Sequence, residues 1–346
     1  MLDSIEEPEN MNLIEIKESE LKSISLFLID KKIILHPIIS PNGTPDFSKY
    51  EGRKFIVILD RNILVRILRL VNNGELKDAH SLKIVSCLLA WSEFNNIALN
   101  SGLALTEYSH HQSGNIESSS ENNIFLRIYE QYSPRDWFDL ATGKTKTIEK
   151  IKLEEQRNFE FFVEVYHFKM HYLEMLKLSQ LYFSDELKIE KKFKIFHNWA
   201  FKNILICKYT TYFAVMLLGG KSKTFRKKGK DFESIKHICK NVAWDLTYLS
   251  FWSTQYYYED EAKEIYLFAT MDKELRELFF LTHKESLEIY REVFGVQKGQ
   301  AIIDSVSEIY IKREKPEITQ GVLDDLIDEE QLELNRIINR NTLSNM

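Results

Sequence analysis

The chain has 346 residues, 44% of them apolar, and a formal net charge of −6. Length and apolar content allow a substantial core, in one large domain with additions or in two. The negative balance excludes a generic nucleic-acid binder, so any polyanion contact must come from a local basic patch.

The first residues, MLDSIEEPEN, are acidic and polar, unlike a signal or transit peptide. No apolar run reaches the roughly 18 residues of a membrane span. Ile204 to Leu218 comes nearest and Lys208 interrupts it, so a cytoplasmic protein without a membrane partner is expected. Residues 1–12 read as disordered. Ser19 to Ile29 has the spacing of a short amphipathic helix that Ser19 can cap. Lys31 to Ile39 reads as a strand and Pro41, Asn42 and Gly43 as a turn. Phe55 to Leu59 is a short apolar run suited to a strand buried on both faces, and it ends on Asp60. Ile63, Leu64, Ile67, Leu68 and Val71 then predict a helix stopped by Asn72, Asn73 and Gly74.

Ser81 to Asn96 is apolar nearly all round and predicts a buried helix. LALTEY at 103–108 begins another element carrying Glu107, and His110 to Glu121 reads as a polar loop. From Asn122 to Lys228 helical patterns dominate: Ile124 to Gln131, a very long one from Thr147 to Gln180, and Glu190 to Leu218. A basic run, KSKTFRKKGK, closes this block at 221–230. A strong helix returns at Ser234 to Trp252, followed by a strand at Ile265 to Ala269 and a helix at Lys273 to Leu281. Glu285 to Phe294 reads as a helix and Ala301 to Ile311 as a helix or strand. The tail from Pro316 carries Asp324, Asp325, Asp328, Glu329 and Glu330 on an amphipathic helix. Cys87, Cys207 and Cys239 lack CxxC spacing and read as reduced core residues.

Asp60 and Asp272 each follow a predicted strand, where α/β sheets open their binding crevices. Asp245 falls inside the apolar stripe made by Ile238, Val242, Leu249 and Trp252. A carboxylate there is costly unless something pairs with it. A divalent cation would do so, because Mg²⁺ takes carboxylate oxygens and keeps several waters. With Glu107, these residues form a candidate cluster of the kind that holds one or two metal ions for phosphodiester hydrolysis. The plainer reading makes Asp60 and Asp272 helix N-caps and leaves Asp245 facing solvent.

Through ILDRN at 58–62, LTEY at 105–108, WDLTYL at 244–249 and FATMDKELREL at 268–278, the chain resembles the PIN-domain nucleases. The match covers about 55–113 and 233–283, roughly a third of the chain. It implies a three-layer α/β/α domain with a mainly parallel sheet. It also implies Mg²⁺- or Mn²⁺-dependent cleavage of RNA, favoured over DNA, with Asp60, Glu107, Asp245 and Asp272 as ligands and catalytic residues. Asn62 and Thr270 would hydrogen-bond those carboxylates or a metal-bound water. The expected division is an N-terminal segment (1–53), a PIN-like part (54–121), a helical insertion (122–232), a second PIN-like part (233–284) and a C-terminal extension with an acidic tail (285–346). The insertion of more than a hundred residues departs from the usually compact family.

Weaker signals stand beside these. Lys221, Lys223, Arg226, Lys227, Lys228 and Lys230 surround Phe225, a pattern suited to holding phosphates and stacking a base, or to a solvated loop. Glu164, His167 and His171 share a helical face without the HExxH order. His110 and His111 follow Glu107 closely, with a loop as the default reading and a supporting role in the site as the other. Phosphate-binding glycine loops are absent. A catalytically idle scaffold binding a protein partner through its helical block or acidic tail is the main alternative. An aspartyl phosphotransferase with Asp60 as nucleophile is a third, disfavoured by Asn62 where a second aspartate is usual. A homo-oligomer is left open.

Overall fold

A computed structural model describes residues 16–42, 50–111, 114–152, 156–204, 206–225, 231–283, 287–311, 316 and 318–344. In chain order it contains α1 (Glu18–Asp30), β1 (Ile34–Leu35), β2 (Lys54–Leu59), α2 (Arg61–Asn73), α3 (Ala79–Phe94), β3 (Ala98–Asn100) and α4 (Gly102–Ser109). Then come α5 (Gly114–Gln131), α6 (Pro134–Thr142), α7 (Tyr166–Tyr182), α8 (Ile189–Asn203), α9 (Lys208–Leu218) and α10 (Phe232–Tyr257). The chain closes with β4 (Glu264–Ala269), α11 (Lys273–His283), α12 (Glu288–Phe294), α13 (Val296–Ile311) and α14 (Gln320–Ser344). The described chain is mostly helical, around a small mixed sheet of order β1-β4-β2-β3.

The two runs that end on acidic stretches pair with each other. β2 and β4 are parallel, in a register that matches Lys54 with Glu264 and Leu59 with Ala269. They become more buried toward their carboxyl ends, where Val57, Ile58, Leu59, Leu267, Phe268 and Ala269 are all in the core. The short β3 lies parallel to β2 on its other side, and β1 runs antiparallel to β4. The chain therefore leaves β2 outward to β3 and comes back to β4 on the opposite flank. In α/β sheets such a reversal opens a crevice at the carboxyl ends of the strands.

The helix α10 is laid along β4 by two contacts. The Trp252 indole donates to the Tyr266 carbonyl at 2.7 Å, and the Tyr248 ring stacks on Phe268 with centroids 5.8 Å apart. One turn of helix and two residues of strand cover similar distances. One turn further along, Asp245 reaches the level of Thr270 and Asp272.

Several predicted boundaries shift, each for a local reason. The strand expected over Lys31 to Ile39 shrinks to Ile34–Leu35, the only two residues in register with β4. The polar stretch from His110 is not a loop throughout, because α5 begins at Gly114. The long helix expected from Thr147 starts only at Tyr166. Ahead of it, described residues 147–152 and 156–165 form an extended strap along α5. A polar comb at every fourth residue of α5 supplies the strap's backbone partners. Asn115 Nδ2 donates to the Phe159 carbonyl at 2.8 Å and Asn123 Nδ2 to the Arg157 carbonyl at 2.7 Å. Ser119 Oγ accepts from the Phe159 N–H at 2.9 Å, and Gln131 Oε1 accepts from the Lys152 N–H at 2.8 Å. The run expected from Glu190 to Leu218 is two helices, α8 and α9, separated around Ile204 to Cys207. Ala301 to Ile311 is helical, within α13. The three cysteines are free.

The strap docks closely on the end of α2. Gly74 caps that helix with φ of 76°, and its carbonyl accepts from the Ile148 N–H at 2.9 Å. A Cβ at Gly74 would stand 2.7 Å from the Ile148 carbonyl oxygen. Gly74→Ala therefore combines an unfavourable left-handed residue with a clash, and should destabilise by about 2 kcal/mol. Urea unfolding checks this; an unchanged midpoint would mean that the strap is not seated on the cap.

The helices α7, α10 and α14 pack together, with α7 between the other two. Part of the acidic tail is used in that packing. Glu330 is only 8% exposed. It accepts from Trp199 Nε1 at 2.6 Å, Gln180 Nε2 at 2.7 Å and Lys177 Nζ at 3.1 Å. Asp324 pairs with Lys169 at 2.6 Å.

Candidate carboxylate site

Asp60 sits at the end of β2 and caps α2, accepting the Asn62 N–H at 3.3 Å. It is 2% exposed. Its other oxygen accepts from Asn62 Nδ2 at 3.2 Å and from the Thr270 hydroxyl at 2.6 Å. The Asp60 N–H donates to the Ala269 carbonyl at 2.9 Å, which ties the two strand ends together. Thr270 is fully buried and also accepts the Asp272 N–H at 2.9 Å. Asp272 in turn caps α11 by accepting the Leu275 N–H at 2.8 Å. The plain capping reading of Asp60 and Asp272 is thus correct as local geometry. It leaves open what the remaining negative charge does.

The carboxylates act on one another. Burial, and after it the Glu107 carboxylate, push Asp60 up to about 6, against the opposing hydrogen bonds from Thr270 and Asn62. Asp245 is held well above the usual carboxylate range, first by burial and then by Asp60, Asp272, Glu107 and Glu274. So Asp245 does not face open solvent apart from the others. The other three predicted carboxylates and one more, Glu274, all lie within electrostatic reach of Asp245. Asp245, Asp272 and Glu274 line a cavity of about 290 Å³ together with Asn241, Lys223 and Thr224.

Three residues near this cluster escaped the sequence reading. The Tyr248 hydroxyl donates to Glu107 Oε2 at 2.7 Å, and burial with the Glu107 and Asp60 charges raises its phenol well above the ordinary value. It is one turn from Asp245, which is the signal that could have found it. Glu274 accepts from Ser222 Oγ at 3.2 Å and Thr224 Oγ1 at 3.3 Å. Arg61 forms a two-pronged pair with Glu121 and lies 4.0 Å above the centre of the Tyr108 ring.

Other sequence signals land elsewhere. His111 Nε2 is 3.9 Å from Glu107 Oε1, at the edge of the cluster. His110 stacks on Phe162 with centroids 4.7 Å apart. Glu164 lies on the extended strap and pairs with Lys169, so it does not share a helical face with His167 and His171. His171 points into a buried network, 2.8 Å from both Glu174 Oε2 and Ser250 Oγ. Lys221 and Lys223 are exposed. Phe225 corrects the stacking expectation: it is 7% exposed, and its ring packs against Tyr182 and Phe183 at 5.3 and 5.7 Å. A ring so enclosed is core packing and has no free face for a base. Arg226, Lys227, Lys228 and Lys230 lie outside the described residues.

Among the described residues, no three His, Cys, Asp or Glu side chains stand close enough to form a ready metal cage. The cluster instead consists of carboxylates whose charges raise Asp60 and Asp245. A hard divalent cation that uses one or two of them directly and keeps its waters is compatible with that donor set. No helix among the described residues is long and apolar enough to cross a membrane. No family model, no curated protein and no solved structure matches the chain.

Proposed function

We propose that this chain is a metal-dependent endonuclease of PIN type, acting on RNA in preference to DNA, on a three-layer α/β/α core. The observation that carries the reading is the convergence of Asp60, Glu107, Asp245, Asp272 and Glu274. Like charges gathered from four separate elements cost stability unless a cation joins them. The cation would be Mg²⁺ or Mn²⁺, held by Asp60, Asp245, Asp272 and Glu107, and would activate a water and stabilise the leaving oxygen. This chain's own residues set the stage for it. Thr270 and Asn62 fix the Asp60 carboxylate, Tyr248 fixes Glu107, and the α10 register delivers Asp245.

The test is cleavage of a labelled RNA by purified protein with Mn²⁺, with EDTA, and by Asp60→Asn. Loss of one anionic ligand should lower the rate at least a hundredfold, on the order of 3 kcal/mol of barrier, with circular dichroism unchanged. A second reading is an idle scaffold with a protein partner, in which Asp60 and Asp272 serve only as the helix caps that they form. It gains if the parent cuts neither RNA nor DNA with any metal, and it loses if Asp60→Asn alone abolishes cutting.

A further inference from the structure

A second cavity, of about 620 Å³, lies beside the carboxylate cavity, and Met216 borders both. The helix α11 divides them. Asp272 and Glu274 face the first cavity, and Lys273 and Arg276 face the second. The charge reverses across this wall. Lys31, Lys32, Lys221, Lys273 and Arg276 line the second cavity against three carboxylates. Two pairs form within it, Asp30 with Lys31 at 2.8 Å and Glu277 with Lys273 at 3.7 Å, and the lining keeps an excess of two cations over carboxylates.

Lys32 supplies an independent observation. The end of α1 closes in a Schellman arrangement: the Lys32 N–H donates to the Ile29 carbonyl at 2.9 Å and the Ile33 N–H to the Leu28 carbonyl at 3.0 Å. The position after the cap takes left-handed backbone and is usually glycine. Here it is a lysine with φ of 51°. A side chain kept at a position that penalises it points to a use for that side chain. Its ammonium lies 5.1 Å from the centre of the Phe280 ring, within the same groove.

We infer that this groove binds the phosphate backbone of a single nucleic-acid strand next to the bond placed at the carboxylates. The inference rests on the nuclease reading and assigns it a substrate path of its own. An acidic cleft loaded with metal satisfies one phosphate. The adjacent phosphates of the same strand need cations, and a concave set of them lies on the other side of α11. Such contacts position a strand without reading its sequence. An acidic protein segment is the competing occupant.

The test uses the full chain carrying Asp245→Asn, which gives up the ion together with turnover, so that the groove's own contribution to binding is read. A labelled 20-nucleotide oligouridylate is titrated at several salt concentrations. Lys31→Ala, Lys32→Gly and Lys273→Ala combined should weaken binding about tenfold or more and flatten the salt dependence by about 2 in log–log slope, near 0.7 for each lost contact. Lys32→Gly alone should melt higher than its parent, because it relieves the left-handed lysine, and still bind the strand less well. That pairing separates a binding role from a folding role. Unchanged affinity and slope in the triple variant would overturn the inference and leave the nuclease reading standing. The same result with an acidic peptide displaced from the groove would assign the groove to protein. In parallel, the otherwise unaltered chain is assayed on bis(p-nitrophenyl) phosphate with Mn²⁺, a diester too small to need the groove. Strand binding that depends on the groove without diester hydrolysis would keep the inference and remove the nuclease.

Discussion

Asp245→Asn should make the metal-free protein more stable while removing its cleavage activity. The charged groups acting on Asp245 are all carboxylates: Asp60, Asp272, Glu107 and Glu274. Asparagine keeps the shape and cannot take on the charge that this set repels. The gain should be about 1–3 kcal/mol, which for a chain of this size is a rise of several degrees in Tm. The pH dependence follows from Asp60, whose folded value near 6 lies above the ordinary value of 3.8. The folded state then holds a proton that the unfolded state has released. Between those values stability falls as pH rises, and the contribution present at acid pH is lost once pH passes about 6. Two units correspond to roughly 3 kcal/mol, less whatever the cluster recovers by relaxing. Added Mn²⁺ should raise the Tm of the parent at pH 7.5 and leave Asp245→Asn nearly unmoved, since binding to the native state stabilises it by mass action. Differential scanning fluorimetry with and without Mn²⁺ reads both effects. A variant that melts lower than the parent and still responds to Mn²⁺ would show that Asp245 is a structural residue outside the ion's reach.

The parts of this site that could be read from the sequence share one property: their signal is local. Asp60 and Thr270 stand at the ends of short apolar runs, and strand pairing alone brings them together once Leu59 is matched with Ala269. Asp245 announced itself as a charge within an apolar stripe, and the stripe fixed which way α10 had to face. The strap, described over 147–152 and 156–165, could not be read this way. Its apolar spacing suits a helix, and its true partners are polar side chains on α5, up to 47 residues away along the chain. The same comb explains why the start of α5 reads as a loop in the sequence. Asn115, Ser119 and Asn123 are poor helix formers by propensity, and their side chains are occupied with the strap's backbone. Phe225 was misread for a related reason. A ring among lysines suggests solvent, and only the distant Tyr182 and Phe183 bury it. Lys32 is a further case, since left-handed backbone at a lysine has no signature in residue type.

His197 should produce the opposite pH dependence at a site remote from the carboxylates. It is fully buried on α8, and neither ring nitrogen has a hydrogen-bond partner. Phe193, Phe196, Phe201 and Tyr310 surround the ring, with centroids 5.5–6.3 Å away. This burial pushes the imidazole down to about 4 from the ordinary value of 6.5. The unfolded chain takes up a proton near 6.5, which the folded chain refuses until about 4. Stability is therefore lost as pH falls through that interval, by about 3 kcal/mol if the full shift applies. His197→Leu fills similar space without a polar atom. It should remove this acid sensitivity and add about 1–2 kcal/mol at neutral pH, because an unpaired buried polar group has been withdrawn. The carboxylate cluster contributes stability of the other sign over an overlapping range. Each term is therefore isolated as the difference between one variant and the parent across pH 4–8. Urea midpoints for His197→Leu should diverge from the parent as the solution is acidified, and those for Asp245→Asn should diverge as it is made neutral. Parallel curves for His197→Leu and the parent would mean that the imidazole finds a partner or leaves the aromatic cage before it is protonated.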